Sequence, residues 1–154
     1  MFRVYLPRLG AGEAASTVLS QTRVPLRGGS ETILLVEDEV RLRTLARKTL
    51  AGFGYKILEA GTGSEAVALW QQHSNDIKLL ITDLVMPGDM TGRELGERLR
   101  RYQPALHIIY TSGYSPDLAG KPEPAGPGTG FIAKPFDIDS LVRTVRATLD
   151  ARRS

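Results

Sequence analysis

Reactive side chains in this sequence stand directly behind short apolar runs. Glu37-Asp38-Glu39 follows Thr32-Ile33-Leu34-Leu35-Val36, and Asp83 follows Leu79-Leu80-Ile81-Thr82. Thr111-Ser112-Gly113 follows Leu106-His107-Ile108-Ile109-Tyr110, and Lys134-Pro135 follows Phe131-Ile132-Ala133. Clustered carboxylates suit a hard cation, while a hydroxyl and an ammonium suit the oxygens of a phosphoryl group. Each residue alone has a plainer role; Asp83, just before Met86-Pro87-Gly88, can simply cap a turn. The chemistry exists only if these residues converge, so it depends on the elements that carry them.

Those elements alternate. A continuous apolar run bounded by a turn signal suits a strand buried on both faces of a parallel sheet. A carboxylate in the middle of such a strand would cost several kcal/mol, whereas at its C-terminal tip water begins. Between the strands lie helical patterns. Leu42, Leu45, Ala46, Thr49, Leu50 and Phe53 form one apolar stripe, closed by Gly52 and Gly54. After a short strand over residues 55–60, Ser64 is expected to cap a helix with Ala66, Leu69, Trp70 and His73 on one face. Thr91-Gly92-Arg93-Glu94 reads as a capping box, with Leu95, Leu99 and Tyr102 inward and Pro104 as the stop. The last helix starts near Asp137 and carries Ile138, Leu141, Val142, Val145 and Leu149. Trp70 and His73 read as core and core edge, and His107 as structural. Residues 115–130 hold four Pro and four Gly, which forbids a long helix between the fourth and fifth strands.

Strands alternating with helices imply right-handed crossovers around one parallel sheet. The fold class is expected to be α/β with helices on both faces, and the order is taken as the flavodoxin-like 2-1-3-4-5. In that order the first and third strands are neighbours at the topological switch point, about 4.8 Å apart. Glu37, Asp38 and Asp83 then meet at one edge, with Thr111 and Lys134 arriving from strands four and five. Three such carboxylates repel, and Mg²⁺ is the fitting remedy because it keeps positions open for water and phosphate oxygens.

Composition narrows the class. The 154 residues suffice for one compact domain and a tail, with 42 % hydrophobic and 24 % charged residues. No apolar run is long enough to span a bilayer, and Arg3, Arg8 and Glu13 interrupt any signal-like core, so no membrane contact and a cytoplasmic location are expected. The absence of Cys excludes disulfides and thiolate metal sites. The net charge of +3 raises nucleic acid as a partner, yet the basic residues interleave with helical stripes and read as solvated faces.

The ordered set Glu37-Asp38, Asp83, Met86-Pro87-Gly88, Thr111-Ser112-Gly113 and Lys134-Pro135-Phe136 resembles the receiver domain of two-component response regulators. The resemblance covers residues 31–153, and its implications are specific. Asp83 is then the phosphoacceptor for a phosphoryl group from phosphohistidine, and the domain catalyses its own phosphorylation. Mg²⁺ is the cofactor, bound by Asp38, Asp83 and the Val85 backbone carbonyl, with Glu37 reaching it through water. Thr111 hydrogen-bonds the phosphoryl oxygens, Lys134 ion-pairs with them, and Phe131 switches with Thr111. The Lys134–Pro135 peptide is expected to be cis. Two features depart from the pattern: Glu37 stands where Asp is more usual, and the Pro/Gly-rich 115–130 replaces the usual fourth helix with something shortened or irregular.

Residues 1–30 read as tail and linker. Phe2-Arg3-Val4-Tyr5-Leu6-Pro7 resembles the closing strand of a histidine-kinase ATP-binding domain, which implies the layout of a hybrid histidine kinase with a C-terminal receiver. The partner is then a histidine kinase or phosphotransfer domain, in cis or in trans. A free-standing single-domain regulator and a non-phosphorylated interaction module are the alternatives. Other chemistries lack parts. An aspartyl phosphatase would want an acid at Val85, and a serine hydrolase at Ser112 lacks the Gly-x-Ser-x-Gly elbow. Gly61-Thr62-Gly63 lacks the Gly-Lys-Ser/Thr ending of a phosphate loop and reads as a turn.

Overall fold

A computed structural model describes residues 26–86, 88, 90–113 and 128–151. Its elements in chain order are β1 (Thr32–Val36), α1 (Val40–Gly52), β2 (Lys56–Ala60), α2 (Gly63–His73), β3 (Ile77–Asp83), α3 (Gly92–Tyr102), β4 (His107–Ser112), β5 (Thr129–Ala133) and α4 (Ile138–Asp150). All four strand pairings are parallel and the order is β2-β1-β3-β4-β5. This is the expected flavodoxin-like sheet. The calls on residues 1–25 and on most of 115–130 lie outside the described residues.

Side-chain alternation sorts the core into two layers. Leu34, Val36, Leu80, Ile108 and Tyr110 face Ala66 and Trp70 of α2 and Leu95 and Leu99 of α3. Ile33, Leu35, Leu79, Ile81 and Ile109 face Ala46 and Leu50 of α1 and Leu141 and Val145 of α4. Each fully buried Leu or Ile contributes roughly 1.5–3 kcal/mol, so the central strands β1 and β3 carry much of the stability. That is why both read as unbroken apolar runs.

The helix starts hold one correction. Thr62, not Ser64, caps α2: its Oγ1 accepts from the Glu65 N–H at 3.1 Å. Gly63 occupies the first helical position, where it lies against the Met90 side chain. The box at α3 forms as expected, with Thr91 Oγ1 accepting from Glu94 N at 3.1 Å and Glu94 Oε1 accepting from Thr91 N at 2.9 Å. Asp137 caps α4 through Ser140 N at 2.7 Å.

Three apolar-face assignments do not hold. Leu45 is 46 % exposed, Ile138 50 % and Tyr102 71 %. Ile138 is the first residue of α4 and Tyr102 the last of α3, and a terminal turn often overhangs the sheet it packs on. Tyr102 instead borders an open groove between α2 and α3 with Trp70 and Leu99. Strands β3, β4 and β5 also run longer than their apolar cores. β4 reaches Ser112 because Thr111 is paired on both sides, with Asp83 and with Ile132. His107 is structural: its Nε2 lies 3.0 Å from the Ala151 carbonyl, which can only accept, so the ring carries its proton there.

Arg146 fastens the segment before β1 to α4. Its guanidinium donates to Glu31 Oε2 at 2.9 Å and Oε1 at 3.2 Å, to Asp150 Oδ1 at 2.7 Å and to the Gly28 carbonyl at 3.3 Å. Arg27 reaches the other Asp150 oxygen at 2.6 Å. The hydrogen bond from Arg146 lowers the pKa of Glu31 below its usual 4.5. A depressed carboxylate stabilises the fold above its unfolded pKa, and the contribution is lost as pH falls through the folded one. Arg146→Met should therefore cost about 1–3 kcal/mol near neutral pH. Urea melts should show that deficit shrinking as pH drops below 4.5.

Candidate functional site

The site lies at the C-terminal edge of the sheet and is built by β-strand neighbours. β1 and β3 run side by side with Val36 opposite Thr82, so the next residues, Glu37 and Asp83, emerge together. Both are buried, at 5 % and 8 % exposure, while Asp38 is exposed. Carboxylate oxygens of Glu37, Asp38 and Asp83 lie within 4.8 Å of one another. Thr111 stands opposite Asp83 in the β3–β4 register and is buried.

Lys134 joins the acids. Its Nζ lies 2.7 Å from Glu37 Oε2 and 2.7 Å from Asp83 Oδ2. The ammonium is aimed there by the end of β5, where Lys134 N donates to the Ser112 carbonyl at 2.7 Å. The Lys134–Pro135 peptide is cis, as the resemblance implied. Asp83 Oδ1 accepts from the Val85 N–H at 3.2 Å, and Glu37 Oε1 accepts from the Glu39 N–H at 3.0 Å. Phe131 sits opposite Tyr110, one pair before the Ile132 that faces Thr111, and packs half-buried against the first core layer.

The electrostatics follow from this burial. Glu37 is pushed above its usual pKa chiefly by desolvation, with the Asp83 charge adding to it and Lys134 and the Glu39 N–H opposing. Burial works against charge on Lys134 too, but hydrogen bonds to Asp83 and Glu37 outweigh it and raise its pKa. The lysine therefore stays cationic beside two acids.

The donor set fits a hard divalent cation. All three candidate side chains are carboxylates, which suit Mg²⁺ or Ca²⁺ and not a soft metal. Around Mg²⁺, with bonds near 2.1 Å, opposite ligand oxygens are about 4.2 Å apart. Only one pair can be opposite and adjacent ligands sit about 3.0 Å apart, so the carboxylates, all within 4.8 Å of one another, would draw in by side-chain rotation to share one ion.

The structure thus brings together Glu37, Asp38, Asp83 and Lys134, with Thr111 in the adjacent strand. One supporting group was not foreseen. Arg43 donates to the Glu37 carbonyl at 2.7 Å and pins the turn leaving β1. In sequence Arg43 looks like any basic residue on the solvated face of an amphipathic helix, so no signal marked it.

The comparisons identify the class. The profile of the response regulator receiver domain matches residues 33–146, and the chain belongs to that family. It is similar to the sensor kinase CckA of Brucella abortus, with 33 % identity over 97 % of this chain and 16 % of that protein. It is also similar to the response regulator receiver protein CpdR of the same organism, with 31 % identity over 77 % of this chain and 97 % of that one. The chain therefore spans about a sixth of the sensor kinase it matches. Among solved structures, the receiver domain from the hybrid histidine kinase CckA superposes with a TM-score of 0.64 at 32 % identity, over 77 % of this chain and 99 % of that one. A receiver protein from Sinorhizobium medicae, at 24 % identity and TM-score 0.68 over 79 % of this chain and 95 % of that one, shows the fold alone. The chain is a receiver domain of two-component signalling. Among the described residues, no helix is long and apolar enough to cross a membrane.

Glu37 should carry a stability penalty in the metal-free chain. A carboxylate whose folded pKa is raised favours the fold below its unfolded pKa, and that advantage is lost as pH rises through the folded value. Glu37→Gln should therefore raise stability at neutral pH. Urea melts in chelator should show the gain at pH 7, vanishing as pH falls below 4.5.

Proposed function

We propose that Asp83 accepts a phosphoryl group from a phosphohistidine on a histidine kinase or phosphotransfer partner, with Mg²⁺ as cofactor. The observation that carries this reading is the Lys134 ammonium held 2.7 Å from Asp83 and from Glu37, within an acid cluster that suits a hard cation. Asp38, Asp83 and the Val85 carbonyl would hold the ion, with Glu37 reaching it through water. When bound, Mg²⁺ neutralises negative charge on the acids and on the phosphoryl oxygens.

The residues divide the work. An Asp83 carboxylate oxygen attacks phosphorus in line, and the O–P bond of an acyl phosphate forms as the P–N bond breaks. The electron pair of that bond stays on the imidazole nitrogen, which takes a proton from solvent. Transfer of this kind asks the protein mainly to position groups and neutralise charge. Lys134 turns from Glu37 to the new phosphoryl oxygens, and the Thr111 hydroxyl donates to one of them. Phe131, one register pair away, follows Thr111 and carries the change towards the surface.

The protein context is part of the proposal. Residues 31–153 form the receiver and residues 1–30 a linker from a preceding kinase domain, in a hybrid histidine kinase. Similarity to CckA over 97 % of the chain supports this, because it reaches back through the linker. The site then faces the cytoplasm, where phosphohistidine donors work. CpdR favours a free-standing regulator as the second reading, since this chain covers 97 % of that protein. The size of the native protein on an immunoblot separates the two.

The chemistry is tested by incubation with phosphoramidate followed by mass spectrometry of intact protein and peptides. Wild type should gain one phosphoryl group on Asp83 only when Mg²⁺ is present, and chelator should abolish it. Asp83→Asn should remove labelling. Asp38→Asn should slow it with partial rescue at high Mg²⁺. Lys134→Ala should slow it without rescue. Undiminished labelling of Asp83→Asn, or indifference to chelator, would refute the reading.

A further inference from the structure

We propose that Gly92 and Thr82 are positioning residues that hold the Asp83 carboxylate in its reactive place, an inference that rests on the reading of Asp83 as the phosphoacceptor. α3 starts at Gly92, and its backbone is pressed against the end of β3. A β-carbon at Gly92 would lie 2.7 Å from the Asp83 carbonyl carbon, 3.0 Å from Thr82 Oγ1, and closer still to the Asp83 carbonyl oxygen. Nonbonded carbons settle near 3.5–4.0 Å, so a methyl there must push backbone aside. At Gly96, one turn on, the obstructing atoms belong to side chains of Tyr110 and Ile108, which can turn away. At Gly92 the nearest obstacle is the peptide of Asp83 itself.

That peptide is held from several directions. Thr82 is fully buried, and its hydroxyl donates to the Asp83 carbonyl at 3.1 Å. Gly92 N–H donates to the Leu84 carbonyl at 3.1 Å, and Leu84 N–H donates to the Thr111 carbonyl at 2.9 Å. The Asp83–Leu84 backbone is thus clamped between α3 and β4, with Thr111 on the far side. The carboxylate hangs from the same Cα, with one oxygen on the Val85 N–H and the other on Lys134. Moving the peptide swings the carboxylate away from Lys134 and out of line with the phosphorus. Thr82 and Gly92 touch no donor, metal or phosphoryl group; they act through Asp83. The capping box of Thr91 and Glu94 reinforces the arrangement, because it fixes where α3 begins.

The test follows phosphoramidate labelling of the full chain at saturating Mg²⁺, with far-UV circular dichroism and thermal melts on each variant. A misplacement of about 1 Å can slow a positioned reaction by about 100-fold. Gly92→Ala should slow Asp83 labelling by about that factor. Thr82→Val, close to Thr in shape but lacking the hydroxyl, should slow it in the same direction. Thr82→Ser, which restores the hydroxyl, should recover most of the rate, a rescue that mere loss of packing would not produce. Should Gly92→Ala fail to fold, the Val and Ser pair at position 82 decides alone. Wild-type rates in folded Gly92→Ala and Thr82→Val would overturn the inference while leaving Asp83 as phosphoacceptor. Equal slowing of Thr82→Val and Thr82→Ser would also overturn it. No labelling of the wild-type chain would overturn the phosphoacceptor reading, and the inference with it.

Discussion

Two carboxylates, Glu37 and Asp83, leave the ends of neighbouring parallel strands and share one ammonium, Lys134. Both acids are nearly out of water, where an unpaired charge is costly. The fold tolerates them because the lysine neutralises part of their charge and backbone N–H groups of Glu39 and Val85 solvate one oxygen of each. One positive charge against two buried negatives and an exposed third leaves the edge electrically incomplete. That imbalance suits the edge to a hard cation.

The rest of the architecture makes the imbalance affordable by being rigid. A parallel sheet covered on both faces gives β1 and β3 fully buried interiors, so their ends are fixed to within the spacing of adjacent strands. The site groups come from β1, β3, β4 and β5, and the helices meet them only at their starts. α3 approaches so closely that glycine alone fits against Asp83. On the opposite flank, Arg146 ties Glu31 and Gly28 to α4, so β1 is anchored before it begins. Stability is concentrated in the sheet, and the strain of clustered charge is confined to its rim.

Much of this was legible in the residues. The alternation of strands and helices, and the placing of Glu37, Asp38, Asp83, Thr111 and Lys134 at strand ends, followed from apolar runs that end in reactive groups. The capping box at Thr91 and the cap at Asp137 were readable because caps act over three or four residues. Local chemistry leaves local signals. Tyr102 and Ile138 were misplaced because helical period says which face a residue is on, but not where the helix overruns the sheet, while Leu45 lies mid-helix at the margin of a stripe centred on Ala46 and Leu50.

What only the tertiary structure decided involves partners far apart in sequence. That Lys134 bridges two acids at once, that Arg43 holds the Glu37 carbonyl, and that Arg146 gathers Glu31, Asp150 and Gly28 are outcomes of packing. The same holds for the cap of α2, where Thr62 and Ser64 are equally suited residues and the path from β2 chose the first. Gly92 is the sharpest case. In sequence it is one glycine inside a capping box; in the fold its missing side chain is the space occupied by the Asp83 backbone. The sequence by itself determined which chemistry is present, because residue type and strand-end position are written in it. Distance, burial and the sharing of charge belong to the folded chain, because they arise only when distant segments exclude water from one another.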